Sequence, residues 1–244
     1  MEEEKISAGS YDLNKFLHGG YEKDVITTIY GPAGSGKTNL CILCAVSQAK
    51  KGNKVVYIDS EGGFSVERVY QIMNKNKEDT NKVLENILIL KPTSFKEQEK
   101  AFETLLNHIK NTNISLIIID SIAMLYRLEL ADAIKTENNL EIQKVNRKLA
   151  QQLRTLNEIS RKNKIPILIT NQVYSQFNKS EEEIKEKEIS MVGGDLLKYW
   201  SKCLIELKNG NGRRKLILRK HRSLPEKSMD FEIFDGGIRK RGWI

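Results

Sequence analysis

The chain has 244 residues, 39% of them hydrophobic and 30% charged, with 40 Lys and Arg against 32 Asp and Glu and a net charge of +8. That length and apolar content suit one α/β domain spanning 1–244, and the lack of an 18-residue apolar run argues against a membrane span. Three cysteines are too few for a disulfide framework, so a soluble protein in a reducing, cytoplasmic setting is expected.

The first residues, MEEEKISAGS, are acidic and polar where a secretory leader needs a basic start and an apolar centre. The run VITTIYG from Val25 is β-branched and closed by glycine, which reads as a strand. Gly31, Pro32, Ala33, Gly34, Ser35, Gly36, Lys37 and Thr38 follow, and from Asn39 the apolar run NLCILCAV reads as a helix. Strand, GxxxxGK[ST] and helix together make a phosphate loop. Its glycines let successive backbone N–H groups converge on phosphate oxygens, and the helix N-terminus adds partial positive charge. Lys37 supplies a cation for the β- and γ-phosphates of a nucleoside triphosphate, and the Thr38 hydroxyl a ligand for Mg²⁺; Asn39, next along the chain, completes the expected nucleotide-binding set. Cys41 and Cys44 have CxxC spacing but fall on the apolar helix with no second pair, so core packing is expected of them.

KVVYID from Lys54 is the next strand, and Glu61 stands just beyond its end in YIDSEGGF. A glutamate there could align or deprotonate a water attacking the γ-phosphate; the alternative is a solvated turn acid. ILIL from Ile87 and SLIIID from Ser115 are further strands, the latter ending on Asp120. That carboxylate, at the tip of a buried strand, is the candidate partner of Thr38 for the metal, and a helix N-cap before Ser121 is the alternative. Between residues 140 and 163, Ile142, Val145, Leu149, Leu153, Leu156 and Ile159 recur at steps of three and four, predicting an amphipathic crossover helix that closes before Pro166. PILITNQV from Pro166 brings Asn171 and Gln172 to another strand tip as neutral groups able to sense the γ-phosphate. Apolar strands alternating with helices imply a parallel sheet covered on both faces, with ligands at the strands' carboxyl ends.

The C-terminal third changes character. CLIELK, RKLILRK and DFEIF are separated by short turns such as NGNG at 209–212, which predicts hairpins extending the sheet in antiparallel fashion. The stretch Lys208 to Arg222 carries Lys208, Arg213, Arg214, Lys215, Arg219, Lys220 and Arg222 with no acid among them, whereas residues 178–188 hold five glutamates against three lysines. Arg213, Arg214 and Lys215 are therefore candidate contacts to a DNA backbone; a solvated sheet edge is the other reading.

With these residues assembled, the chain resembles the RecA/RadA class of P-loop recombinase ATPases, and within it the short archaeal paralogues. The resemblance is carried by ISAGSYDLNKFLHGGYE, the phosphate loop, YIDSEGGFSVERV, LIIIDSIAMLYR, KLAQQLRTLNEISRKNKIPILITNQV, GGDLLKYWSKCLIELK and KHRSLPE, nearly the whole chain. It implies a RecA-like core: a mostly parallel twisted sheet with helices on both faces and antiparallel C-terminal hairpins, the ITNQV strand lying between the phosphate-loop and Asp120 strands. It also implies that Glu61 activates water, that Gln172 couples nucleotide state to DNA-contacting loops, and that Arg68 stacks on adenine. Pro225 would cap the nucleotide of a neighbouring subunit, and Lys220 and Arg222 would reach its γ-phosphate as fingers in trans. Arg127 falls in the first DNA loop of the family, with a surface salt bridge as the alternative; Tyr174 and Phe177 lie nearest the second.

The departures matter as much. The phosphate loop begins 30 residues in, so the expectation is a core lacking the small helical DNA-binding domain, and SEEEIKEKE places carboxylates where the second DNA loop would meet phosphates. The resemblance thus implies a weak Mg²⁺-dependent ATPase, nucleoid-associated, that binds single- or double-stranded DNA through its backbone and assists a full-length recombinase or other recombination proteins, itself as a homo-oligomer. A nucleotide-gated regulatory protein, KaiC-like or recombinase-modulating, with incidental DNA contact is the alternative.

Overall fold

A computed structural model of the chain describes residues 4–175, 189–191, 194–210 and 212–242. Strands β1 (Lys5–Ile6) and β2 (Tyr21–Glu22) pair antiparallel around helix α1 (Tyr11–Phe16), whose start is capped by the Ser10 hydroxyl accepting from Leu13 N–H. Then β3 (Ile26–Gly31) leads through the glycine-rich loop into α2 (Lys37–Ala49) and on to β4 (Lys54–Asp59). Two short helices, α3 (Val66–Met73) and α4 (Lys77–Leu84), precede β5 (Ile87–Leu90), and α5 (Phe95–Asn111) precedes β6 (Ile114–Asp120). Helices α6 (Met124–Lys135) and α7 (Asn139–Asn163) return the chain to β7 (Ile167–Ser175). After β8 (Ile189–Met191) and α8 (Gly194–Trp200), four strands close the fold: β9 (Cys203–Gly210), β10 (Arg213–Lys220), β11 (Lys227–Phe234) and β12 (Gly237–Lys240).

All but β1 and β2 join one sheet in the order β12-β11-β10-β9-β3-β7-β6-β4-β5, with β8 added antiparallel to the end of β7. From β9 to β5 every neighbouring pair is parallel, and from β9 to β12 every pair is antiparallel. Strand β7 lies between β3 and β6, so Gln172 pairs in register with Gly31, the first residue of the loop.

Both faces of the parallel half are buried, which is why its strands are apolar without alternation. Side chains divide by parity: Val55, Tyr57, Leu116, Ile118 and Leu168 pack under α2 and α3, while Val56, Ile58, Ile117, Ile119, Ile167 and Ile169 pack under α5 and α7. The stripe expected on α7 is the face that meets this second layer, with Leu149, Leu153 and Leu156 fully buried. Cys41, Cys44 and Cys203 are free and buried. Among the described residues, no helix is long and apolar enough to cross a membrane.

The expected C-terminal hairpins are present, each strand longer than its apolar kernel: DFEIF lies in β11, which starts three residues earlier at Lys227. The N-terminal pair β1–β2 and the strand β12 were not anticipated. Each is two to four residues long and exists because a tertiary partner supplies its hydrogen bonds.

Candidate nucleotide site

The carboxyl ends of β3, β4, β6 and β7 form one rim, and the loop from Gly31 to Gly36 rises from it. Gly31 has to be glycine for room: a Cβ there would stand 2.3 Å from the Leu207 carbonyl oxygen of β9. Gly34 and Gly36 have φ of 70° and 108°, the left-handed region open to glycine, and Gly36 leaves the first turn of α2 without a side-chain cap. The N–H groups of that turn are therefore available to an outside acceptor. Lys37 is 6% exposed and folds back along the loop, its Nζ donating to the carbonyls of Gly31 and Pro32 at 3.0 Å each. Burial pulls its ammonium below the ordinary lysine range, against the charges of Glu61 and Asp120.

A cavity of about 220 Å³ opens over this loop, lined by Ala33, Gly34, Gly36–Asn39, Glu61, Gln172, Arg214 and Ile233. Three of the expected groups meet here from three strand tips: Lys37 after β3, Glu61 after β4 and Gln172 on β7. Gln172 Nε2 donates to Glu61 Oε1 at 3.0 Å. Burial, and after it the neighbouring Asp120 carboxylate, push the Glu61 carboxyl above its ordinary range, while Lys37 and the Gln172 hydrogen bond pull it down.

The loop that carries Glu61 is built by residues the sequence reading passed over. Asp59 accepts from Gly63 N–H and Phe64 N–H, both at 3.0 Å, closing a tight turn around Glu61. Ser60 ties that turn to the β6 tip, its N–H donating to the Asp120 carbonyl and its Oγ accepting from Ser121 N–H at 2.8 Å. The signal was present: Asp59 ends its apolar strand as Asp120 ends its own. The turn brings Gly63 against Thr38, whose Oγ1 would be 3.2 Å from a Cβ at that glycine.

Asp120 is fully buried behind the cavity wall. Tyr57 donates to its Oδ2 at 2.9 Å and the Thr170 hydroxyl donates to its Oδ1. Among the described residues no group of three or more His, Cys, Asp or Glu could hold a metal alone. One hydroxyl and one oriented carboxylate instead suit a Mg²⁺ ion carried mainly by phosphates and water.

Arg68, expected over adenine, lies on α3 and clamps the turn after β11: its guanidinium donates to the Phe234, Asp235 and Gly237 carbonyls, and its Nε to Asn39 Oδ1 at 2.8 Å. It thus anchors Asn39, which lines the cavity. Lys220, Arg222 and Pro225 are at the other end of the sheet. Lys220 pairs with Leu204, itself level with Thr28, three residues before Gly31 or roughly 10 Å at the rise of a strand. Lys220 donates to the Lys198 carbonyl at 2.8 Å, and Arg222 pairs with Glu22 at 3.1 Å and Asp24 at 2.9 Å. No residue of that group faces this chain's own cavity.

The expected DNA set is divided. Arg127 is on the solvent side of α6. Arg213 and Lys215 are exposed on one face of β10, Lys215 opposite Asp230 at 3.7 Å, but Arg214 points to the other face, into the cavity. Part of the basic run is also paired: Lys208, Arg219 and Arg222 have carboxylate partners at Glu206, Glu226, Glu22 and Asp24. Tyr174 falls within β7; Phe177 and the acidic stretch 178–188 lie outside the described residues.

The Rad51 family model matches residues 2–241. The chain is 44% identical over 227 residues to the DNA repair and recombination protein RadB of Methanococcus maripaludis, covering 93% of this chain and 96% of that one. The RadB of Methanocaldococcus jannaschii is 42% identical over 226 residues, with 93% and 98% covered, and that of Methanococcoides burtonii 37% identical over 238, with 97% and 98% covered.

Proposed function

Because the chain belongs to the Rad51 family, we propose that it is an ATP-binding, weakly hydrolysing protein of DNA repair and recombination, contacting DNA through its backbone and assisting a full recombinase. One observation carries the catalytic part: the Glu61–Gln172 hydrogen bond sits in the same cavity as Lys37 and Thr38.

In this reading the loop amides and Lys37 bind the phosphate tail, and the Lys37 ammonium exchanges its two carbonyl partners for phosphate oxygens. Thr38 and Asp120 are the residues that would hold Mg²⁺, and the ion would supply positive charge to offset that on the β- and γ-phosphates. Glu61, deprotonated, orients a water toward the γ-phosphate and takes its proton. Gln172 joins Glu61 to strand β7, so a γ-phosphate that draws away its amide breaks that link and is felt along the strand. Arg68 holds Asn39 and the β11–β12 turn at the side of the cavity where a base would emerge.

Turnover is slow because the site is half a site. Lys220, Arg222 and Pro225 stand at the opposite end of the strands, where in this reading they complete the cavity of a neighbouring copy. Lys220→Ala and Arg222→Ala are expected to lower turnover by an order of magnitude or more at protein concentrations where copies associate. The exposed Arg222–Asp24 pair adds about 1 kcal/mol or less to stability, but Glu22 is buried and loses a charged partner in Arg222→Ala, so turnover of that variant is to be read well below its own melting transition. Wild-type turnover in both variants, measured as phosphate release, would remove these residues from the mechanism.

A second reading has support in the pairing of Lys208, Lys215, Arg219 and Arg222 with carboxylates, which leaves less free positive charge for a polyanion. There the protein is a nucleotide-gated partner of recombination proteins with incidental DNA contact. ATP turnover with and without single-stranded oligonucleotide separates the two. We expect stimulation that fades as salt is raised, since backbone contacts release counterions; turnover indifferent to the oligonucleotide at every salt concentration favours the second reading.

A further inference from the structure

We infer that Arg214 is a nucleotide-binding residue supplied in cis by β10, its guanidinium meeting the α- and β-phosphates alongside the phosphate loop. The inference rests on the reading of the cavity as a triphosphate site and adds to it a cation that the loop motif does not contain.

Strand alternation directs it. Leu216 and Leu218, two and four residues on, are both fully buried in the layer beneath α2, so Arg214 faces that layer too. Its neighbours Arg213 and Lys215 face the other way with Ile217. At the sheet edge the layer ends, and the side chain that continues its row lines the cavity with Lys37 and Thr38.

The ladder gives the level along the loop. Arg214 is paired on one side with Asn209 and on the other with Phe231. The Asn209 amide is 3.9 Å from where a Cβ of Gly34 would be, and the Phe231 ring is 3.7 Å from the corresponding point at Gly36. Arg214 therefore stands between the two contacts, beside the stretch Gly34–Gly36, whose N–H groups cradle the α- and β-phosphates in loops of this kind. Glu61 and Gln172, at the γ-phosphate end, come from strands on the far side of β3.

Its hydrogen bonding is incomplete. The Arg214 Nε is buried and has no acceptor among the described residues, although a guanidinium has five donors and a buried one left unmet is costly. A phosphate oxygen is the acceptor that this position lacks, and the planar fork of arginine suits it.

The test is a titration of the full-length wild type, Arg214→Ala and Arg214→Gln with fluorescent ATP and ADP analogues in Mg²⁺ buffer, beside a titration with a labelled single-stranded oligonucleotide without nucleotide. Both variants should weaken ATP and ADP alike, by about tenfold, the effect of one charge-assisted hydrogen bond at a partly solvated site, and leave oligonucleotide affinity as in the wild type. Arg214→Gln keeps a polar, uncharged and shorter side chain and guards against misfolding of the alanine variant. Wild-type nucleotide affinity in either folded variant overturns the inference, and so does a loss confined to ATP, which would put the contact on the γ-phosphate. A fall in oligonucleotide affinity alone returns Arg214 to the DNA surface. Lys37→Met is run in parallel: if it too binds nucleotide normally, the phosphate-site reading has failed, whereas loss in Lys37→Met with normal Arg214 variants rejects only this assignment.

Discussion

Lys37→Met is expected to raise the dissociation constants for ATP and ADP by roughly a thousandfold, or about 4 kcal/mol, the size of two hydrogen bonds between charged groups. The substitution keeps an unbranched apolar stem of similar length and removes the ammonium. Without nucleotide, that ammonium is held by two carbonyl dipoles and not by a carboxylate, and burial depresses its pKa. The sign follows: between the lowered folded pKa and the ordinary lysine value, the unfolded chain binds the proton and the folded chain does not, so stability rises with pH there. Below that window the charged form weighs against folding. Lys37→Met should therefore melt at or above the wild-type temperature at neutral pH in the absence of nucleotide, while the stabilisation produced by added ATP disappears. Differential scanning fluorimetry with and without ATP reads both effects. An ATP-induced rise in melting temperature equal to the wild type's would remove Lys37, and with it the proposed site, from consideration.

The parts of this molecule that were legible in its sequence are those decided by neighbours along the chain. Strand β4 begins and ends where KVVYID does, and β5 where ILIL does, because a strand buried on both faces announces itself as a short unbroken apolar run. Helix α7 was legible to a residue from its stripe and from Pro166 beyond it. The glycine-rich loop was legible because its chemistry and its backbone need the same residues. What was not legible depends on partners far away in sequence. The two residues of β1 are a strand only because Lys5 and Ile6 meet Glu22 and Tyr21. The Arg68 clamp reaches carbonyls more than 160 residues on. Arg213, Arg214 and Lys215 look alike as a run of charge, and only the pleat separates them; the clue was their parity with Leu216 and Leu218. The sheet order that sets Gln172 beside Glu61 came from the family resemblance, since no spacing along the chain encodes which strands are neighbours.

Glu61→Gln carries the second large effect, a fall in turnover of at least a hundredfold with ATP affinity unchanged or tighter. General-base catalysis contributes about 10²–10⁴ in rate, and the amide cannot accept a proton from water. The side chain keeps its size, and its oxygen still accepts from Gln172 Nε2, so the link observed at 3.0 Å survives the exchange and only the base is lost. Removing a carboxylate beside an incoming γ-phosphate also removes repulsion, which is why affinity should not suffer. The pH dependence supplies an independent check. Glu61 must be deprotonated to act, and burial together with Asp120 raises its pKa, so wild-type turnover should begin to fall, as pH is lowered, above the ordinary carboxylate range. Binding of ATP adds further negative charge and moves that limb higher still. Residual turnover in Glu61→Gln should show no such limb. Single-turnover phosphate release across pH, with affinity measured on the same samples, tests this: if the variant keeps both its rate and its acid limb, the base lies elsewhere, and the Glu61–Gln172 pair is a structural latch on the end of β7.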